Sequence, residues 1–286
     1  MTNKHRLIVQ RCLLQMTMLA ALLLSLAVAA TTVYRTEDAA GRISFSDTAS
    51  QDAEEVQLAA HSQRYRVTVK RVIDGDTVVL DDDRRVRLLG INTPEIANRH
   101  RDAEPGGEAA KHWLEQRLAD GVMFIEYDQT QLDQYGRLLA YCYDESGEML
   151  NEGLLRDGMA MMTILPPNMR HSEVFTELEQ AAQRQQLGIW AMPEYQRRSV
   201  QILKQSPPPR GWQRLLVRPV EIVEQRQSVL LRVNDQFALR IANEHLPLFD
   251  DLNDYLNQDW QVQGWLSRRQ QSFFMQLRHP SALTPP

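Results

Sequence analysis

Five charged side chains in the first half of the sequence stand at spacings from which chemistry can be built. Asp74-Gly75-Asp76 sets two carboxylates one residue apart across a glycine, a donor pair that can hold a hard cation such as Ca²⁺. Arg87 sits in the alternating run Arg85–Ile91, and Arg137 opens the run Arg137–Tyr143. Two arginines on separate strands can clamp a phosphate through their forked donors. Glu95 follows Asn92-Thr93-Pro94, and a carboxylate so placed can orient or deprotonate a water. Together these groups suit hydrolysis of a phosphodiester: metal and guanidinium charge offset the extra charge of the transition state while a base prepares the water. Each piece alone has a plainer reading. Asp-Gly-Asp is a common turn, a strand arginine is usually solvated or ion-paired, a glutamate after proline is usually a loop charge, and Arg137 after Tyr135-Gly136 is an ordinary hairpin arginine. Only the conjunction points to chemistry.

The elements that would position these groups are legible around them. Tyr65, Val67 and Val69 alternate with polar residues, the period of a half-buried strand. Thr77–Leu80 and Arg85–Ile91 continue as strands, and Pro94 ends the third because proline cannot extend a ladder. Ala110, Trp113, Leu114 and Leu118 recur at helical spacing, Val122–Tyr127 and Arg137–Tyr143 are two further strands, and Leu150 with Leu154 marks a short helix. Ser172 is the expected cap of a last helix carrying Val174, Phe175, Leu178 and Ala181-Ala182, stopped near Gly188. The class is mainly β with α (α+β).

Three motifs in this order, Ile73–Val78, Val86–Glu95 and Asp133–Tyr141, with the tail Leu187-Gly188-Ile189-Trp190, make the segment 62–195 resemble the staphylococcal nuclease (thermonuclease) family. The resemblance implies a five-stranded OB-type barrel with three helices. It also implies a Ca²⁺-dependent endonuclease that cleaves DNA and RNA with little sequence preference and leaves 3′-phosphate ends. It places Arg87, Glu95 and Arg137 at the catalytic positions: Glu95 as general base or water-orienter, Arg87 on phosphate oxygens, Arg137 on the charge of the phosphate and leaving oxygen. Arg137 is not expected to act as an acid, because a guanidinium stays protonated. The metal ligands implied are Asp76, the Thr93 carbonyl and Asn92, with Asp74 nearby; Tyr135 and Asp74 are candidate substrate contacts. Two positions depart from the family pattern. Asn92 stands where the family has aspartate, which removes a negative charge and predicts a weaker Ca²⁺ site. Thr163 and Leu165 stand where the family has two tyrosines that pack on the nucleotide, so that stacking is absent. Cys142 reads as a small apolar strand residue, and His100, His112 and His171 as surface or capping residues.

The remaining chain reads as accessory. Lys4, Arg6 and Arg11 precede the uncharged run Cys12–Ala30, which ends in Ala27-Val28-Ala29; this is the layout of a secretory signal peptide over 1–29, and an uncleaved inner-membrane anchor is the alternative. The expected location is periplasmic or secreted. Residues 30–61 read as a hairpin, similar to a small module found after signal peptides of Gram-negative envelope proteins, and an acidic linker. The nuclease-like domain is expected over 62–198, a Pro-rich linker over 199–212, and a second, smaller OB-like barrel of five strands over 213–286, with a helical stretch around Leu246–Leu256. Trp260, Trp265, Phe273 and Phe274 with Arg268 and Arg269 could form an aromatic and basic surface there, although strand spacing must bury at least half of those aromatics. This domain is the expected dock for an envelope protein partner. The net charge is −5, which on its face disfavours a polyanion partner. A local cationic site does not need a basic chain, however, so the expected partner is single-stranded or exposed DNA or RNA captured with little long-range attraction. No small-molecule cofactor and a monomeric state are expected. The competing function is a nucleic-acid-binding or envelope interaction protein that keeps the fold with weakened turnover.

Overall fold

The strands read around the charged motifs close on one another. A computed structural model describes residues 33–37, 43–46, 54–56, 63–97, 99 and 102–286, and the chain divides into two compact units, 1–62 and 63–286. In the first unit β1 (Val33–Glu37) pairs antiparallel with β2 (Ile43–Ser46), the expected hairpin. A third strand, β3 (Glu54–Val56), joins the other edge of β1 within the stretch read as linker. The expected signal peptide lies outside the described residues. Among the described residues no helix is long and apolar enough to cross a membrane.

In the second unit β4 (Arg64–Asp74), β5 (Thr77–Leu80), β6 (Arg85–Leu88), β8 (Val122–Glu126) and β9 (Leu138–Tyr143) form a closed barrel in the order β4-β5-β6-β9-β8. All pairs are antiparallel except β6 with β9. Closure depends on β4, which pairs with β8 through its first half and with β5 through its second. Register shifts along the β5 pairing, between Val69 and Arg71 and between Val72 and Asp74, mark irregularities of the kind that bend a strand. The inward set, Val78, Val86, Leu88, Met123, Ile125, Ala140 and Cys142, is fully buried, as period-2 alternation requires. Helices α1 (Gly107–Arg117), α2 (Leu150–Arg156) and α3 (Ser172–Gln185) pack around it. The cap position of α3 is held by His171, whose side chain makes no capping bond, so Ser172 begins the helix and does not cap it.

The third strand is shorter than its apolar run. It stops at Leu88, turns through Leu89-Gly90, and resumes as β7 (Ile91–Asn92), which leaves the barrel and pairs with β10 (Met161–Met162). This diversion carries Asn92 and Thr93 away from the barrel wall and toward the Asp74–Asp76 turn.

The expectation of a second barrel is wrong. Strands β11 (Arg198–Ser199), β12 (Gly211–Val217), β13 (Glu221–Gln225), β14 (Ser228–Asn234), β15 (Phe237–Ala242), β16 (Trp260–Arg269), β17 (Ser272–Leu277) and β18 (Leu283–Thr284) form an open sheet. Its order is β11-β12-β16-β17-β15-β14-β13, with β18 added to β16. The run Leu216–Glu224, which alternation alone would make one strand, is not continuous. The chain breaks at Arg218-Pro219-Val220, where proline has no N–H to give a ladder. The halves go to different places: β12 pairs with β16, and β13 forms the far edge on β14. The helical stretch is likewise two 3₁₀ segments, Asn243–Leu248 and Leu252–Tyr255, the first with Pro247 inside it. Leu215, Leu231, Leu239, Ile241, Val262, Met275 and Leu277 form a core of their own on one face of this sheet.

Barrel and sheet are joined within the second unit. Trp212 on β12 meets Trp190 and Tyr195, with ring centroids 5.8 and 6.0 Å apart. Beside them α3 reaches β16: Gln263 Nε2 donates to Glu179 Oε2 and Gln183 Nε2 to Gln263 Oε1. Arg214 of β12 donates to Gln183 Oε1 at 2.6 Å.

Candidate active site

The acidic turn joins β4 to β5. The Asp76 N–H donates to Asp74 Oδ1 at 3.1 Å, closing the turn locally. The position between them admits only glycine for want of room. A Cβ on Gly75 would lie 2.6 Å from Ala110 Cβ on α1 and 2.8 Å from the Thr93 side chain. The turn is therefore pressed between a helix and the segment that carries Thr93.

Asp76 is buried and heavily partnered. Its Oδ2 accepts from the Thr93 N–H (2.8 Å) and Thr93 Oγ1 (3.2 Å), and its Oδ1 from Thr77 Oγ1 (3.0 Å). Arg87 Nη2 stands 3.1 Å from Oδ2. Burial, and then the charge of Asp76, push the Asp74 carboxyl up to about 7.

Arg87 is held by three oxygens. Besides Asp76, Nη1 donates to the Leu88 carbonyl at 2.7 Å and Nη2 to Asn92 Oδ1 at 3.0 Å. Asn92 in turn donates from Nδ2 to the Thr93 carbonyl at 2.9 Å. One amide thus bridges a guanidinium and a backbone carbonyl, which a carboxylate could not do because it has no donor.

Arg137 is positioned separately. Asp133 Oδ2 accepts from its Nε at 2.7 Å, while Oδ1 accepts from the backbone N–H groups of Tyr135 and Arg137. Those N–H bonds overcome the effect of burial and hold Asp133 below the usual carboxylate range. The parallel register sets Arg87 opposite Leu139. Arg137 lies in the turn immediately before that strand. Tyr135 is 67% exposed, with the Arg137 guanidinium 5.7 Å from its ring.

Glu95 follows Thr93 by two residues, and its backbone is fixed. Its N–H donates to Glu104 Oε2 at 3.1 Å and its carbonyl accepts from the Glu104 N–H at 2.8 Å. The residue as a whole is half-buried.

The structure thus joins Asp74, Asp76, Arg87, Asn92 and Thr93 in one hydrogen-bonded cluster, with Glu95 on the loop leaving it and Arg137 with Tyr135 in the turn before β9. The cluster offers oxygen donors only: two carboxylates, an amide and a carbonyl, the type hard cations take. Among the described residues no group of three or more His, Cys, Asp or Glu side chains converges. His171 holds the cap position of α3 without a side-chain capping bond, and its ring packs against Tyr141 (4.4 Å) and Phe175 (5.8 Å). His112 lies exposed on α1, and His100 is outside the described residues. Two positioning residues escaped the sequence reading, Asp133 and Glu104. Asp133 carried a signal, since an aspartate two residues before a Tyr-Gly pair is a turn former that bonds back to the chain. Glu104 carried none.

Similarity to known proteins falls on two segments of the chain. A model of the staphylococcal nuclease homologue family matches residues 85–192, and a model described as a domain of unknown function (DUF4124) matches residues 20–64. The chain is 39% identical over 125 residues to a thermonuclease of Staphylococcus intermedius, covering 43% of this chain and 74% of that protein. It is 34% identical over 135 residues to a thermonuclease of Staphylococcus hyicus, 46% of this chain and 78% of the other. It is 35% identical over 134 residues to endonuclease YncB of Bacillus subtilis, 45% of this chain and 63% of the other.

Proposed function

The chain belongs to the staphylococcal nuclease family, a family of nuclease-type hydrolases, and from that membership we propose that it is an exported endonuclease that hydrolyses DNA, RNA or both with little sequence preference and leaves 3′-phosphate ends. The observation that carries the reading is the pinned Arg87 guanidinium beside the two-carboxylate turn.

In this reading Glu95 orients a water and takes its proton as the water oxygen bonds to phosphorus. The bond from phosphorus to the 5′ oxygen breaks, leaving a 3′-phosphate and a 5′-hydroxyl whose proton comes from solvent. Arg87 on β6 and Arg137 in the turn before β9 share the added negative charge of the phosphoryl oxygens. Fixed guanidinium groups do this without reorganising as charge develops, which is the purpose of the Leu88, Asn92 and Asp133 contacts. Asp76, the Thr93 carbonyl and Asn92, with Asp74 nearby, would hold Ca²⁺, which when bound supplies Lewis-acid charge at the phosphate. With an amide at position 92 the site carries less negative charge and suits a compartment rich in Ca²⁺.

One observation favours the second reading, a nucleic-acid binder with weakened turnover. The Asn92 amide already satisfies both Arg87 and the Thr93 carbonyl, so the cluster is closed without a cation. Incubating the chain with single-stranded DNA and RNA, in Ca²⁺ or EDTA, separates the two. Cleavage in Ca²⁺ that is abolished by Glu95→Ala and Arg87→Ala supports the nuclease; equal cleavage by wild type and both variants, or none by any, sinks it.

A further inference from the structure

Beyond Thr163 the chain opens onto a cavity that none of the charged site's groups lines; Met162, Trp212 and Gln263 border it, and its far wall is the C-terminal sheet. Val262 and Met275 face the sheet's own core, so alternate residues of β16, Gln263, Trp265 and Ser267, face the other way. The register sets Trp265 beside Trp212. Trp212, Trp190 and Tyr195 are buried in the seam, yet Trp265 is 42% exposed. The cavity of about 140 Å³ runs between Thr163 and Ile164 on one side and Trp265, Ser267, Gln276 and Arg278 on the other. That volume is close to the roughly 150 Å³ that holds a benzene ring, so it suits one flat ring. The lining includes an arginine and neither aspartate nor glutamate, in a chain of net charge −5. The imidazole of His279 also lines it, but burial holds that group below its usual range, and its Nδ1 meets Ser281 Oγ at 2.8 Å.

The position ties the cavity to the charged site. Thr163 donates its N–H to the Gly90 carbonyl at 2.9 Å, and Met161 pairs with Asn92 across the β7–β10 ladder. The cavity thus begins at Met162, the residue after the partner of Asn92. We propose that it is a substrate subsite in which one unstacked base of a single-stranded nucleic acid lies on Trp265, with a neighbouring phosphate on Arg278. This rests on the nuclease reading and names the strand-binding surface of the same enzyme. A base can lie flat on Trp265 only after it has left a duplex, so single strands are the ligand. Stacking, which is indifferent to base identity, supplies affinity that an acidic chain cannot obtain from long-range charge.

The test uses the full chain and oligothymidylate eight nucleotides long, titrated against tryptophan emission in the Glu95→Ala background. The oligonucleotide quenches emission, and Trp265→Phe removes most of that quenching while preserving affinity. Trp265→Ala weakens binding by about 5- to 100-fold, and in the otherwise wild-type chain the change falls on KM and not on kcat. Arg278→Ala lowers the slope of log affinity against log salt by about 0.7, one single-strand phosphate contact. Unchanged affinity in Trp265→Ala overturns the proposal, as does a loss in Trp265→Ala matched by a lowered unfolding midpoint and not rescued by phenylalanine. Quenching by the oligonucleotide with no cleavage by wild type keeps the subsite and removes the nuclease reading.

Discussion

An amide and a carboxylate have nearly the same shape, but at position 92 they ask different things of their surroundings. The amide gives its oxygen to Arg87 and its N–H to the Thr93 carbonyl, so a local charge balance is reached from protein groups alone. In Asn92→Asp the Thr93 carbonyl loses that donor and faces an anion. Calorimetry should then show Ca²⁺ affinity raised about tenfold or more. The unfolding midpoint should drop in EDTA, since a buried acceptor is left unpaired at a cost of about 1–3 kcal/mol, and recover in Ca²⁺. Unchanged Ca²⁺ affinity would show that position 92 is not a ligand. A second prediction concerns Asp133. Removing it in Asp133→Ala frees the Arg137 side chain from a 2.7 Å charge-assisted bond, and kcat on single-stranded DNA should fall about tenfold or more with KM little changed. Asp133→Asn should recover part of the loss, because its amide oxygen still accepts the turn N–H groups. At this scale the sequence was informative where chemistry lies in residue type. Asp76, Arg87, Asn92 and Thr93 were nameable from their motifs and meet in space. What the motifs did not show was direction: that Asn92 would turn its oxygen to the arginine, or that Glu104 would clamp the Glu95 backbone, depends on contacts across loops.

Elements aim these side chains, and the tightest aiming is at the start of α1. A Cβ on Gly107 would lie 2.6 Å from the Glu95 carbonyl oxygen and 2.9 Å from that of Pro94, so the helix end and the Glu95 loop share one van der Waals boundary. Gly107→Ala should push that loop outward. The expected result is a stability loss of about 1–3 kcal/mol by chemical denaturation, together with a kcat loss larger than that of an exposed α1 substitution such as Glu115→Ala. Strands β4, β6 and β8 were legible because one side is more buried than the other, which writes an alternation into the chain, whereas β5 and β9 are buried along their whole length and were legible as short apolar runs. The C-terminal strands were equally legible as strands. Their closure was not, because alternation records which face is buried and says nothing of which edge pairs with which. Pro219 was the clue: a residue without an N–H inside an apparent strand marks a break, and the break sends β12 and β13 to separate places in the sheet.

At the scale of the molecule, barrel and sheet share a buried carboxylate. Glu179 is 2% exposed, accepts from the Met162 N–H and from Gln263, and is pushed up to about 7 by burial. The charge facing it is the Arg214 guanidinium, which opposes that shift, as do the two hydrogen bonds. Because its folded value lies above its ordinary value of 4.5, the native state binds the proton more tightly than the unfolded chain. Its stabilising contribution is therefore complete below about pH 4.5 and is lost as pH rises through about 7. Glu179→Gln should flatten the pH dependence of the unfolding midpoint across that window, by on the order of 3 kcal/mol between its ends; an unchanged slope would mean that Glu179 does not titrate there. The net charge of −5 was a poor guide to partners at this scale, since it averages over a site built from a few arginines.

The aromatic seam has a consequence for modularity. Trp190 and Tyr195, next to the barrel, are covered by Trp212 from the sheet, and Ser206-Pro207-Pro208-Pro209 lies between them in sequence. A protease that cuts in this proline stretch should leave a nicked but associated particle that elutes as one species. A barrel expressed without the sheet would expose tryptophan and a desolvated carboxylate together, and should aggregate. Fusion or transplantation of this nuclease into other chains would therefore have to carry both halves.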